Sequence, residues 1–330
     1  MSLSKAISPE FLPSSSSYLS KNGRTLTFQQ QQPPRSLGQN SVLMANGFCM
    51  LSMLTWAAGF PAAEALLETW DPLTLIVARL AIVTVVLIPI WALLEGVSTV
   101  LNARWWRGLI VGGVGFGLGT YLILVGQSVS DPVTVTIVAA SMPVIGALLE
   151  VMFDGRKLRL LFVVGIALAV TGGLFAAGAN ISDGSAGLGA LLAFVSVLFF
   201  AWGSRAAVKE FPELSTIART TITLTGAFVF VAIIYVVATI FGIPAGISAP
   251  IDTPQIANLL LYALGAMALS QWLWLMGVGR LGIAVAAVHM NAAPIYVMLI
   301  VVALGGVWNW TQLVGALLVG LGVLISQRRA

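Results

Sequence analysis

The side chains able to do chemistry in this sequence are few, and most stand inside long apolar runs. Arg79 lies eight positions after Asp71, and Glu64 seven positions before it. If Asp71 marks a turn between two helices, both side chains sit about 10–12 Å from it, at ~1.5 Å per residue. An ionised side chain that deep in hydrocarbon costs at least ~2.5 kcal/mol, so each needs a partner or water. The spacing predicts that Glu64 and Arg79 pair across the hairpin, facing the interior. Such a pair is either a fixed strut or a site where Arg79 also meets a substrate carboxylate, which its two-pronged donor geometry suits. Glu210 and Arg219 repeat the theme nearer an interface, where snorkelling accounts for them.

His289 and Asn291 belong to the segment AVHMNAAP, which closes on Pro294. Proline there removes the backbone bond to the carbonyl of Met290, and carbonyls freed at membrane depth face a cavity or neighbouring protein. Pro294 and Pro143 are therefore expected to break their helices and serve as hinges. His289 either hydrogen-bonds a neighbouring helix or binds substrate and carries a proton, since an imidazole titrates near neutrality. Trp56, Tyr121, Trp202, Gln271 and Trp272, with Trp274, either line an amphipathic pocket or pack between helices. The glycine run GGVGFGLGT (Gly112–Thr120) lacks the flanking strand and helix start of a phosphate loop. It reads as a surface for close helix approach. Cys49 is the one cysteine and His289 the one histidine. That excludes a disulfide framework, a multi-cysteine or histidine-rich metal site and a cluster of nucleophiles. No metal, cofactor or enzymatic chemistry is expected.

What positions these residues is a membrane. Apolar residues make up 58% of the 330 and charged residues 8%, with a mean hydropathy of +0.99. A soluble globule carries roughly a quarter charged residues. About 20 apolar residues cross a bilayer, and ten such stretches occur: 42–66, 73–94, 105–126, 132–153, 160–178, 187–207, 214–241, 256–278, 283–304 and 309–326. They run too long, and alternate too little, for a barrel wall. With both termini cytoplasmic, fifteen of the sixteen basic residues fall inside, among them Arg104, Arg107, Lys157, Arg205, Arg280 and Arg328. Glu68, Asp71, Asp131, Asp183 and Asp252 fall outside. That is the positive-inside pattern, and it explains the net charge of +4 without a nucleic-acid partner. Trp91, Trp105 and Trp106 are expected at the inner interface, and Trp70, Trp308 and Trp310 at the outer one. The expected fold is an all-α integral membrane protein with ten transmembrane helices.

The chain also contains itself twice. TYLILVGQSVSDPVTVTIVAASMP (Thr120–Pro143) aligns without a gap on QWLWLMGVGRLGIAVAAVHMNAAP (Gln271–Pro294), 151 residues later. Gly165 and Gly172 repeat as Gly315 and Gly322, Trp56 as Trp202, and Ala78-Arg79 as Ala218-Arg219. Residues 42–179 and 186–328 then form two repeats of five spans each. Five is odd, so the second copy enters the membrane from the other side. Inverted repeats of this kind let secondary transporters exchange outward-open and inward-open states.

At these residues the chain resembles the EamA-type branch of the drug/metabolite transporter (DMT) superfamily. The resemblance covers about residues 42–328. It rests on TWAAGF (Thr55–Phe60), DPLTLIVARL (Asp71–Leu80), the mid-span prolines, and GIALAVTGGL and GALLVGLGVL in spans five and ten. It implies ten helices, two inverted five-helix repeats and export of small metabolites such as amino acids. Many members end span four with Gly-Glu, where this chain reads Phe153-Asp154-Gly155. The leading expectation is a secondary transporter of a bacterial inner membrane, with a cavity near Arg79, Glu64, Trp56, Trp202, His289 and Asn291. In the absence of a nucleotide-hydrolysing motif, a substrate gradient or proton exchange would drive it. Efflux of organic cations, held by Glu64 and the tryptophans, and a non-transporting sensor or scaffold are the alternatives. A homodimer stays open. Residues 1–41 are rich in Ser, Gln and Pro, with Glu10 the one acid, and are predicted to be disordered. Their composition also fits a plastid-type transit peptide, or a leader foreign to the protein.

Overall fold

A computed structural model of the chain describes residues 17–19, 25–27, 39–154, 160–176, 185–243, 245–281 and 286–327. The chain divides into Met1–Ser41 and Val42–Ala330. In the first unit two short strands, β1 (Ser17–Leu19) and β2 (Thr25–Thr27), pair antiparallel. The segment expected to lack structure thus holds a local strand pair; residues 1–16, 20–24 and 28–38 lie outside the described residues.

The second unit is helical among its described residues. Its elements are α1 (Gln39–Leu67), α2 (Pro72–Glu95), α3 (Trp105–Ser128), α4 (Pro132–Phe153) and α5 (Leu160–Ala176). They continue with α6 (Ser185–Glu210), α7 (Thr216–Ile240), α8 (Thr253–Leu281), α9 (Ala287–Ala303) and α10 (Trp310–Gln327). A short helical turn, Val97–Leu101, joins α2 to α3. Among the described residues seven helices are long and apolar enough to cross a bilayer: α1 to α4 and α6 to α8. Shorter apolar helices occupy 160–176, 287–303 and 310–322.

Helix starts are written into the local sequence. Asp71 and Asp131 stand before Pro72 and Pro132, whose missing N–H is no loss in a first turn. Asp71 Oδ1 accepts from the backbone N–H of Leu73 (2.8 Å) and Thr74 (3.3 Å), and Asp131 Oδ1 from Val133 (3.0 Å) and Thr134 (2.9 Å). Asp252 caps α8 through Gln255 N (2.8 Å), and Asn309 caps α10 through Thr311 N (2.9 Å). These starts gather at one end of the bundle, where Gln312 Nε2 donates to Asp131 Oδ1 (2.8 Å) and Gln255 Nε2 to Thr69 Oγ1 (3.1 Å). At the other end Arg107 pairs with Glu210 (3.2 Å), Arg104 with Glu213 (3.9 Å), and Ser215 Oγ with Glu95.

The tryptophans divide. Trp106 and Trp310 are 63% and 71% exposed, as a ring at the headgroups must be. Trp70 and Trp91 are buried instead. Trp91 Nε1 donates to Glu95 Oε2 (3.0 Å) and its ring tilts onto Trp105 (5.9 Å). Depth along a helix does not say which way a ring faces.

Two irregularities recur at equivalent places. α3 and α8 each contain a π-helical stretch, Val111–Leu118 and Leu261–Leu269; the 151-residue offset carries the first onto 262–269. α4 is interrupted at Ala140–Ser141, just before Pro143, and resumes at Met142. α9 opens as a 3-10 turn (Ala287–Ala292) and becomes α-helical at Ala293, with Pro294 in the new first turn. Glycine lets the helices approach closely. A Cβ on Gly112 would overlap the Thr223 carbonyl of α7, and one on Gly226 the Gly108 carbonyl of α3. The glycine run is a packing surface.

Candidate functional site

Two adjoining cavities of about 50 and 40 Å³ lie between the halves of the bundle and share Trp56, Ile123, Phe200, Ser270 and Gln271. The walls follow from helical spacing. Ser52, Met53, Trp56, Gly59 and Phe60 form one face of α1, and Tyr262, Ala266, Ser270 and Trp274 one face of α8. The first cavity is mainly apolar, with Met53, Met142, Val197 and Met290 in its wall. The second brings Arg79, Thr120, Gln127, Tyr262 and Gln271 together.

Arg79 dominates the polar side. It is 3% exposed, and its guanidinium carbon lies 3.6 Å from the centroid of the Tyr262 ring. Nη2 donates to the Ala266 carbonyl (3.3 Å), inside the π-helical stretch of α8. Stretches of that kind are frequent at functional sites. Arg79 Nε has no hydrogen-bond partner, and no carboxylate among the described residues pairs with the guanidinium. Thr120 Oγ1 and Gln271 Nε2 are likewise buried without partners. Around them the frame is tied down. Gln127 Nε2 donates to the Phe60 carbonyl (2.7 Å), Ser52 Oγ to the Ser270 carbonyl (2.8 Å) and Trp274 Nε1 to Ser204 Oγ (3.3 Å). Trp56 meets Phe60 edge-on, with centroids 4.8 Å apart.

Of the residues singled out from sequence, Trp56, Arg79, Gln271 and Trp274 meet in these cavities. The expected Glu64–Arg79 pair does not form. Glu64 is exposed, and the charges acting on it are those of Asp131 and Glu68. It follows Pro61 and lies eight residues past Trp56, about 80° further round at ~100° per residue, which turns it away from the cavity face. Tyr121 and Trp202 are half-buried and packed against the core outside both cavities. Trp272 lines a separate groove with Leu87, Ile90 and Arg280. His289 Nδ1 lies 3.1 Å from the Ala286 carbonyl, within its own 3-10 turn, and Asn291 Oδ1 is buried without a partner. Arg219 gives Nε to the Phe211 carbonyl (2.6 Å) and Nη2 to that of Pro212 (2.8 Å). Tyr262, Thr120 and Gln127 went unnoticed in the sequence. Thr120 heads the same aligned segment as Gln271, and Tyr262 puts a polar aromatic where the offset sets Val111.

The first five helices carry the family signal: residues 43–177 match the model of the EamA-like transporter family. The likeness is confined to residues 43–177, less than half of the chain. The long apolar helices make the chain a multi-pass membrane protein, and the likeness to DMT-type transporters lies in the matched segment. That segment contributes Trp56, Arg79, Thr120 and Gln127 to the site. No curated protein matches the chain. One crystal structure of a protein shares the fold at 18% identity and a TM-score of 0.65, over 86% of this chain and 97% of that one. Identity that low speaks for the fold alone.

Proposed function

We propose that the protein is a secondary transporter that exports amino acids or related small metabolites bearing a carboxylate, binding them at Arg79 between two inverted repeats. The observation that carries this reading is Arg79 itself: a buried guanidinium, aimed into a cavity, with an unpaired Nε and no carboxylate partner among the described residues. A buried cation without a counter-charge is costly, and a carboxylate ligand is what relieves it. Ten spans, with residues 42–179 and 186–328 as the repeats, are supported by the π-helical stretches and proline breaks that recur at one offset. Helices interrupted near the midplane are where transporters of this design bind and rock. The basic residues around Arg104, Arg107 and Arg280 support cytoplasmic termini in a bacterial inner membrane. Exchange for protons or a substrate gradient supplies the energy. Organic-cation efflux is disfavoured, because the cavity already holds a positive charge.

The test is counterflow of labelled amino acids and organic acids in proteoliposomes, with and without a pH gradient. Saturable flux, lost in a folded Arg79→Met variant, is expected. Lack of saturable flux over a broad metabolite panel overturns the reading.

A further inference from the structure

We infer that the site selects organic monoanions with an apolar body and discriminates against zwitterions of the same skeleton. The inference rests on the carboxylate-binding reading above and narrows its substrate class from amino acids and related metabolites to the related carboxylates that lack an ammonium group. Three observations carry it. First, among the described residues the lining of both cavities includes Arg79 and no Asp, Glu or His. The empty site therefore holds one positive charge, which a monoanion neutralises and a zwitterion does not.

Second, the unpaired nitrogens are donors. Arg79 Nε and Gln271 Nε2 both lack partners, and the Thr120 hydroxyl beside them is free to donate, whereas several backbone acceptors nearby already take a hydrogen bond. Ala266 O takes Arg79 Nη2, Phe60 O takes Gln127, and Ser270 O takes Ser52. A carboxylate finds donors ready. An ammonium finds neutral oxygens and ring faces, and it must lie within a few ångströms of a guanidinium, where like charges repel.

Third, the polar and apolar parts are separated. Arg79, Thr120 and Gln127 mark one end, Gln271 lies where the cavities join, and the adjoining cavity beyond Trp56 and Phe200 is walled by Met53, Met142 and Met290. Methionine adapts to bodies of varied shape. A ligand with its charge at one end fits that division.

A matched series tests this: 4-methylpentanoate, leucine and 3-methylbutylamine have closely related branched skeletons and differ in charge. Binding to the purified full chain in detergent is followed by titration calorimetry, with Trp56 and Trp274 fluorescence as a second readout. The expected result is that 4-methylpentanoate binds at least tenfold tighter than leucine, and the amine shows no saturable binding. Arg79→Met then weakens 4-methylpentanoate at least tenfold, and Arg79→Lys restores part of it. Leucine binding as tightly as 4-methylpentanoate overturns the inference and leaves the carboxylate reading standing. The amine binding best overturns both. If none of the three binds to folded, monodisperse protein, the inference fails.

Discussion

Arg79 and Arg219 each follow alanine near the start of a helix, α2 and α7. Their surroundings differ completely. Arg219 lies three residues into α7, partly exposed, and its donors brace the Phe211 and Pro212 carbonyls of the loop before it. Arg79 lies seven residues into α2, buried, with one carbonyl, one ring face and an unpaired Nε. Four residues of depth separate a cation satisfied by its own loop from one with binding capacity to spare. The largest expected effect follows from that difference. Arg79→Met should cut transport at least ~100-fold, about 2.8 kcal/mol at ~1.4 kcal/mol per decade, with little loss of thermal stability, since an under-paired buried charge is removed. Arg219→Met should lower stability by roughly 1.5–3 kcal/mol, the worth of charge-assisted bonds, and leave transport per folded molecule within about twofold. Equal transport losses in the two variants, measured on equal amounts of folded protein, would end the distinction.

The π-helical stretches make a second contrast. The first presents Gly112, Gly115 and Gly117, and the second has Ala263, Ala266 and Ala268 at the same offset. In the first half, backbone meets backbone, because a Cβ on Gly112 would overlap the Thr223 carbonyl. In the second half the alanines have room because α1 gives way: a Cβ on Gly59 would overlap that of Ala266. Gly112→Ala should therefore destabilise by about 1–3 kcal/mol, the usual cost of overpacking. Ala263→Gly should cost only about 0.5–1 kcal/mol. Thermal melting in detergent ranks the two. Tyr262 belongs to the roomier half. Tyr262→Leu should weaken carboxylate binding roughly tenfold, in line with a desolvated cation–π contact of about 2 kcal/mol. Tyr262→Phe, which keeps the ring face, should stay within about threefold.

Much of the fold was legible because its signals are local. Apolar runs gave helix positions to within about four residues, and the Asp-Pro pairs at 71–72 and 131–132 gave two helix starts outright. Pro143 and Pro294 marked the two helix interruptions that stand just before them. The site was legible only in part. Depth can be counted along a sequence, which is why Arg79 stood out. Azimuth round a proline-containing helix cannot, and Glu64 was misplaced for that reason. π-helical geometry arises where tertiary packing widens a turn, so nothing in LYALGAMAL marked Tyr262 and the Ala266 carbonyl as the seat for a guanidinium.

Glu64 is the sharpest remaining check on that geometry, and the smallest expected effect. An ion pair with Arg79 would make the two residues interdependent: neutralising either would strand the other, and the two substitutions together would cost less than their sum. Exposed near Asp131 and Glu68, Glu64 has no such partner to strand. Glu64→Gln should change stability by less than about 0.5 kcal/mol, as surface substitutions do, and leave transport within about twofold. Combined with Arg79→Met, it should add nothing to the loss. A double-mutant cycle over melting temperature and flux reads the coupling directly. A coupling above about 1 kcal/mol would mean that Glu64 turns inward during transport, and that Arg79 shares its charge with a carboxylate of the chain before it meets one from a ligand.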